Sequence, residues 1–279
     1  MLQLVGSTMG TRYMVKVFDA PDLDDDVRFL VDRTLRRVND QMSTYLKSSE
    51  LSRFNASKST DWVDVSRGTA TVVDFAQKLS EKTGGAFDVT VGPLVNAWSF
   101  GHDPRSRTVP NQARLDELTK SVGFDKLEVR LNPPALRKSV PELQVDLSAI
   151  AKGYGVDQVV DLLSDLGAEN VFVEIGGEVR TSGSKAGTPW RVGIQLPDAE
   201  QDSVMIAHAL DEQNGEGNSM ATSGDYRNFF EVDGIRYSHT IDPRTAKPVT
   251  HPLASVSVVA DSCMAADAWA TAINVLGQE

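Results

Sequence analysis

Val145–Gly177 reads VDLSAIAKGYGVDQVVDLLSDLGAENVFVEIGG. Val145-Asp146 closes a strand-like segment, Gly153–Leu166 has helical spacing, and Gly167 ends that helix. Asn170–Ile175 then reads as a strand that runs into Gly176-Gly177. If this strand–helix–strand beat repeated along the chain, a parallel α/β sheet would follow. It does not repeat.

Upstream, Thr11–Phe18 (TRYMVKVF) alternates polar and apolar residues and reads as a half-buried strand. Asp19–Asp26 is an acidic turn, and Val27–Asn39 carries Val27, Leu30, Val31, Leu35 and Val38 at helical spacing. Ser49–Asn55 reads as a short helix, and Gly68–Thr83 as an amphipathic one closed by Gly84-Gly85. Arg114–Val122 reads as a helix; Lys126–Leu131 and Glu142–Asp146 read as strands around a Pro-Pro turn. Downstream, Trp190–Gln195, Ala207–Leu210, Asn228–Glu231 and Ser255–Val259 read as strands, and Asp261–Leu276 as a closing helix. Mixed elements without a regular βαβ order predict an α+β fold with largely antiparallel sheet. No repeat or low-complexity segment interrupts it.

The charge balance narrows the function. Against 28 basic residues stand 39 acidic ones, a net of −11. That excludes a broad basic footprint for nucleic acid and a polybasic membrane patch. A phosphate-bearing ligand must be held by a local device: a cation, a helix N-terminus or a lysine or two. Cys263 is the single cysteine, so no intrachain disulfide forms. The apolar run Val256–Ala260 is too short to cross a bilayer. The opening Met1–Gly6 carries no signal peptide, so the expectation is either a cytoplasmic protein or one whose export leader has been removed.

Three segments carry candidate chemistry. Asp267 and Thr271 lie four residues apart in the closing helix and share a face. A carboxylate and a hydroxyl are hard oxygen ligands, suited to magnesium or calcium rather than zinc. The plain alternative is a surface ion pair for Asp267 and simple packing for Thr271. In Val145–Gly155 a strand gives way to a helix start, where free amides favour anions and Lys152 can reach a phosphate. Its glycines read G-x-G-x-x-Q with Gln158 in the third place, so a dinucleotide fingerprint is incomplete. In Ser238–Arg244, His239 could move a proton or merely satisfy the turn made by Asp242-Pro243. No G-x-S-x-G elbow, Walker loop or cysteine–histidine zinc spacing is present.

Taken in order, several segments give the chain a family likeness. Gly6–Thr11 (GSTMGT), Met42–Tyr45 (MSTY) with Ser49-Glu50-Leu51, Gly85–Leu94 (GAFDVTVGPL) and Asp146–Gly153 (DLSAIAKG) come first. Gly176-Gly177-Glu178, Ser223–Tyr226 (SGDY), His239–Thr245 (HTIDPRT) and Asp267–Ala272 (DAWATA) follow. Together they closely resemble the ApbE family of FAD:protein FMN transferases across nearly the whole chain. One departure is Ala246, where the family usually has glycine; it alters the turn after Arg244 without removing a functional side chain.

The resemblance implies an ApbE-like (T-fold-like) α+β fold of mixed, largely antiparallel sheets with packed helices. It implies one domain over residues 1–279, with two lobes sharing one core and FAD in a cleft between them. It implies magnesium on Asp267, Thr271 and the Ala149 carbonyl. It lines the FAD site with Met9, Tyr45, Ala86, Phe87, Asp88, Asp146, Lys152 and Ile241; the bland alternative makes Phe87 and Ile241 core and Met9 a gap-filler. The implied reaction transfers FMN from FAD to a threonine or serine and releases AMP. His239 is the preferred proton acceptor, with Asp242 orienting its loop and Asp88 or Asp146 as alternatives. The implied partners are FAD and an acceptor protein, a flavin-carrying subunit of a membrane redox complex with a D-x-x-[ST]-[GS]-A-[ST]-like motif; nucleic acid is not among them. A FAD pyrophosphatase giving FMN and AMP, or a non-catalytic FAD-binding protein, are the competing readings, and Tyr45 resembles the transferase branch. The family likeness also implies a periplasmic lipoprotein at the inner membrane.

Overall fold

In the strand Thr11–Phe18, Tyr13, Val15 and Val17 are buried in one core while Met14 and Phe18 pack into another. One strand therefore feeds two layers, as period-2 alternation requires. The structure is a computed structural model that describes residues 1–19, 26–101, 107–195, 204–210, 217–224 and 228–278. Most of the predicted acidic turn after Asp19, and Asp225 and Tyr226 of the SGDY segment, lie outside the described residues.

Among the described residues the elements run β1 (Leu2–Thr8), β2 (Thr11–Phe18), α1 (Val27–Met42), α2 (Glu50–Ala56), β3 (Val63–Asp64), α3 (Arg67–Lys82), α4 (Gly92–Ala97) and α5 (Gln112–Thr119). They continue β4 (Leu127–Leu131), β5 (Pro134–Lys138), α6 (Ala151–Asp165), β6 (Asn170–Ile175), β7 (Glu178–Ser182), β8 (Trp190–Gln195), β9 (Val204–Leu210) and β10 (Ser219–Gly224). The last are β11 (Phe229–Val232), β12 (Ile235–Ser238), β13 (Ile241–Asp242), β14 (Lys247–Pro248), β15 (Ser255–Ala260) and α7 (Cys263–Leu276). The fold is α+β with mainly antiparallel sheet. The chain divides into two compact units: Met1–Val38, Ile150–Ser223 and Ser255–Ala270 form the first, and Asn39–Ala149, Gly224–Ala254 and Thr271–Glu279 the second.

The first unit is built on a six-stranded sheet in the order β1-β2-β6-β7-β10-β15, with β1 to β7 paired antiparallel in succession. Helices α1 and α6 cover one face. Val31 and Leu35 of α1 and Val156, Val159, Val160 and Leu163 of α6 meet Val15, Val171 and Val173 there. Each such side chain, fully buried, stabilises the fold by about 1.5–3 kcal/mol. On the other face Phe172 and Val179 pack with Trp190, Val192 and Leu210 of the β8–β9 ribbon.

The second unit holds a three-stranded sheet, β3-β5-β4, with α3 packed against β4 and β5. A second core gathers Leu94, Trp98, Leu115, Phe230 and Ile241. Two expectations change here. The strand after the proline turn is Pro134–Lys138 and not Glu142–Asp146, because β4 and β5 pair directly across Asn132-Pro133. At Val145 the Asn55 side chain takes over a strand partner's work, accepting from its N–H and donating to its C=O, each at 2.8 Å. The segment is thus fixed without a ladder. The predicted Arg114–Val122 helix ends at Thr119.

Candidate functional site

Helix α6 starts at Ala151 without a side-chain cap from Ile150. Its first-turn amides must find other partners. Gly153 donates its N–H to Asp267 Oδ2 of α7 at 2.9 Å. The approach is so close that a Cβ on Gly153 would lie 2.2 Å from the Cys263 carbonyl oxygen, so only glycine fits. The contact is reciprocated: Asp157 of α6 accepts the N–H groups of Cys263 and Met264 at the start of α7, each at 2.9 Å. Arg180 of β7 pairs with Asp157 at 3.0 Å.

Lys152 lies in the same first turn of α6. Its ammonium meets Glu178 Oε1 at 2.5 Å. Burial raises the Asp267 carboxyl above its ordinary value, against the pull of Lys152 and the Gly153 N–H. Burial likewise pushes Glu178 up to about 7, opposed by Lys152. Desolvation alone would lower Lys152, but the Asp267 and Glu178 charges outweigh it and hold the ammonium protonated. Two buried carboxylates thus share one lysine, a local excess of negative charge that a cation would relieve.

Asp267 and Thr271 are one helical turn apart in α7, and Ala149 lies in the turn just before α6. Asp267 is buried, and Ala149 and Thr271 are half-buried. Among the described residues no group of three or more histidine, cysteine, aspartate and glutamate side chains could hold a metal. Asp267 belongs to the first unit, and Ala149 and Thr271 to the second; what they carry is a carboxylate, a main-chain carbonyl and a hydroxyl. That donor set fits a hard divalent cation such as magnesium.

Met9, like Asp267 and Lys152, belongs to the first unit. Thr8 and Thr11 pair across the turn Met9-Gly10, whose residues both have positive φ, 49° and 73°. Asn-Gly is the favoured pair in such a turn, and a methionine there costs roughly 1–2 kcal/mol. The Met9 side chain sits against Gly155, where an added Cβ would lie 2.9 Å from its Cε.

The second unit brings Asp88 and Asp146 together. The Asp146 N–H donates to the Val89 carbonyl at 2.7 Å, and a Cβ on Gly92 would lie 3.2 Å from Asp146 Cβ. Asp88 is buried and accepts from both the N–H (2.8 Å) and the hydroxyl (2.7 Å) of Thr90. Burial raises its carboxyl; the Thr90 bonds oppose the shift. Asp146 is half-buried and accepts from the Ser148 N–H at 2.9 Å. Ala86, Phe87 and Ile241 are buried. Tyr45 is the opposite: it is 71% exposed, on a turn fixed by Ser43 Oγ, which accepts from the Tyr45 and Leu46 N–H groups. A cavity of about 530 Å³ opens beside Pro93, Asn96, Asn111 and Arg114, next to the Gly85–Leu94 loop, but none of the predicted FAD positions lines it.

His239 is half-buried, edge-on to Phe100 at 6.3 Å, with Nδ1 3.2 Å from the Asn228 carbonyl. Donation from Nδ1 to that carbonyl leaves Nε2 as the basic nitrogen. Asp242 is buried and gripped by Arg244, whose Nε and Nη2 donate to its two oxygens at 2.9 and 3.0 Å. Its main-chain carbonyl also accepts the Ala246 N–H at 2.9 Å. Asp242 therefore orders the loop, and its carboxylate is committed to Arg244.

Asp157, Arg180 and the role of Glu178 escaped the sequence reading. For Asp157 a signal existed: it falls on the apolar face of α6 beside Val156 and Val160, where an acid must carry partners. Glu178 follows two glycines at a strand start, and nothing in the sequence marks it as buried.

A model described as the ApbE family matches residues 9–279. The chain is 48% identical over 281 residues to the FAD:protein FMN transferase of Vibrio cholerae, covering all of this chain and 82% of that protein. It is 38% identical over 283 residues to the enzyme of the same name from Escherichia coli K12, covering 99% and 78%. Among solved structures, the flavin transferase ApbE from Vibrio cholerae superimposes with a TM-score of 0.89 at 46% identity, over 100% of this chain and 87% of that one. The apo flavinyl transferase ApbE of Pseudomonas stutzeri gives 0.87 at 37% identity, over 100% and 85%.

Proposed function

This chain belongs to the ApbE family, and from that premise we propose a magnesium-dependent FAD:protein FMN transferase that attaches FMN to a threonine or serine and releases AMP. Transfer of flavin is the activity its relatives are named for. The observation that carries the finer reading is the start of α6, where Asp267 and Glu178 share Lys152 around a bare helix N-terminus. In so acidic a chain a pyrophosphate needs a cation, and this cluster, with two carboxylates to one lysine, is where a cation would be drawn.

Asp267, Thr271 and the Ala149 carbonyl would hold the magnesium, which when bound supplies Lewis-acid and templating chemistry at the pyrophosphate. Lys152 stabilises negative charge on the phosphoryl oxygens. The acceptor hydroxyl oxygen bonds to the FMN-side phosphorus as the bond to the bridging oxygen breaks, and that oxygen leaves with AMP. His239 Nε2 takes the hydroxyl proton. Asp242, through Arg244, keeps the His239 loop in place. Asp88 and Asp146 hold the Gly85–Leu94 loop, which would line the FAD site. The exposed Tyr45 ring offers a stacking surface for the flavin. The proposal extends to the partner, a flavoprotein subunit of a membrane redox complex, and to a lipid-anchored periplasmic setting, which fractionation of the native cell tests.

The deciding assay incubates the protein with FAD, magnesium and an acceptor domain, and reads flavin fluorescence in the gel. A fluorescent acceptor band is expected. AMP without a labelled acceptor makes the protein a pyrophosphatase; retained FAD with neither product makes it a carrier. Asp267→Ala abolishes labelling, and undiminished transfer at trace magnesium sinks the metal assignment.

A further inference from the structure

Lysine carries its charge on a flexible four-carbon stem. A lysine that must meet a phosphoryl group at one point therefore needs something to hold it there. Glu178 is built to do so. It is the first residue of β7, and β7 lies inside the six-stranded sheet between β6 and β10. The turn before it is Gly176-Gly177, both at positive φ (64° and 110°), with the Gly177 N–H donating to Glu174 Oε1 at 2.8 Å. Ile175 pairs with Glu178 across that turn, so the glutamate's backbone is fixed by the ladder. Its side chain is 5% exposed against 30% for Lys152. Oε1 takes the ammonium, and Oε2 is buried with no hydrogen-bond partner among the described residues. A buried carboxylate with a bare oxygen is costly, and a fold keeps one when its charge is used.

The alternative partner for Lys152 is close by. Asp267 acts on the same ammonium through space. We propose that Glu178 is the positioning residue for Lys152: it holds the ammonium from the sheet side and keeps it from neutralising Asp267. Without it, Lys152 has one buried carboxylate left to pair with, and that pairing takes Asp267 away from its cation. The inference rests on the reading of Lys152 as the residue that meets the transferred phosphoryl group.

The test uses Glu178→Gln, Lys152→Met and the double variant, with two readouts. In FMN transfer, Glu178→Gln lowers kcat/KM for FAD by about 10–100-fold in the wild-type background and by less than about threefold in the Lys152→Met background, since a residue acting through Lys152 has nothing left to act on. Equal factors in both backgrounds overturn the proposal, because a merely structural glutamate damages both alike. The second readout is acetylation of Lys152 in the ligand-free protein, followed by peptide mass spectrometry. Released from Glu178, Lys152 samples solvent, and its labelling rate changes severalfold while other lysines keep theirs; an unchanged rate overturns the proposal. Should Glu178→Gln fail to fold, Glu178→Asp keeps the charge on a side chain one methylene shorter and is held to the same two criteria. A wild-type protein that labels no acceptor refutes the transferase reading, while Lys152 acetylation still decides the Glu178 assignment.

Discussion

Asp157 and Asp267 are the same residue type, both buried, each reaching from its own helix to the bare start of the other. They differ in how completely they are satisfied. Asp157 accepts two main-chain N–H groups and an arginine, and burial, the main cause of its raised carboxyl, is opposed by all three. Asp267 accepts one N–H and feels Lys152, which Glu178 already holds. Asp157 is a closed cap that joins two helices. Asp267 is a cap left short of positive charge. The difference shows where the fold spends polar partners on stability and where it withholds them for a ligand.

The largest effect that tests this contrast is on stability. Removing the Asp157 carboxylate leaves the Cys263 and Met264 N–H groups without their acceptor, at about 1–3 kcal/mol each, while Arg180 keeps Asp161 as a partner at 3.3 Å. Asp157→Ala should lose both contributions together in urea unfolding. Asp267→Asn should change stability by about 1 kcal/mol or less, since the amide oxygen still accepts the Gly153 N–H and a poorly compensated charge is gone. Its FMN transfer should nevertheless vanish. Equal losses of stability in the two variants would break the comparison.

A cation sharpens it next. Magnesium at a hundredfold excess over its Kd should stabilise the wild type by about 2.7 kcal/mol if it binds the folded chain alone. Melting scans of Asp267→Asn should show no such rise. Asp267→Asn melting that still climbs with magnesium would move the cation away from Asp267.

Two lysines repeat the contrast in pH. Lys152 has carboxylates beside it and is raised. Lys138, in the second unit, is 1% exposed; it donates to the Phe54 and Leu143 carbonyls, at 3.3 and 3.1 Å, and lies over the Phe54 ring. Desolvation, then repulsion from Lys58, lowers it from 10.5 to about 8. A base whose folded pKa is depressed binds fewer protons folded than unfolded between those two values. Stability contributed here is therefore penalised below about pH 8 and recovers as pH rises toward 10.5. The recovery should be on the order of 3 kcal/mol in unfolding free energy read by urea titration. Lys138→Met should remove this slope; a slope that survives assigns it to other groups.

These contrasts explain what the sequence could and could not convey. The strand Thr11–Phe18 and helices α1, α3, α6 and α7 were legible because each buries one periodic face. Asp267 with Thr271 and Lys152 near a helix start were legible by spacing and composition. Glu142–Asp146 reads as a strand in sequence but is not one, because its fixing partner is the Asn55 side chain, 90 residues from Val145 in the chain. Glu178 and Arg180 were not legible as partners because strand β7 is short and follows two glycines; its place inside the sheet is set by pairing with β6 and β10. Partner counts decide which buried acid is structural, and those counts exist only after the chain has folded.

Asp242 extends the comparison to a third carboxylate and gives its smallest effect. Like Asp157 it is closed, here by the Arg244 fork, and its loop ends at Ala246. Ala246 occupies the left-handed region at φ 59°, the conformation for which the family's usual glycine is suited. The turn keeps its hydrogen bonds all the same: the Ala246 N–H donates to the Asp242 carbonyl, and its own carbonyl accepts from Trp98 Nε1 at 2.9 Å. Ala246→Gly relieves roughly 1–2 kcal/mol of backbone strain. Against that, glycine adds about 0.5–1 kcal/mol of unfolded-state entropy. The alanine methyl is also buried among Trp98 and Ile241, and losing it costs about 0.8 kcal/mol. The three contributions nearly cancel, so Ala246→Gly should leave the urea midpoint within about 0.5 kcal/mol of the parent and FMN transfer unchanged. A gain above 1 kcal/mol would mean the methyl contributes little; an equal loss would mean packing outweighs strain. Near-cancellation is why an alanine can stand at this turn while Asp242 still fixes the His239 loop.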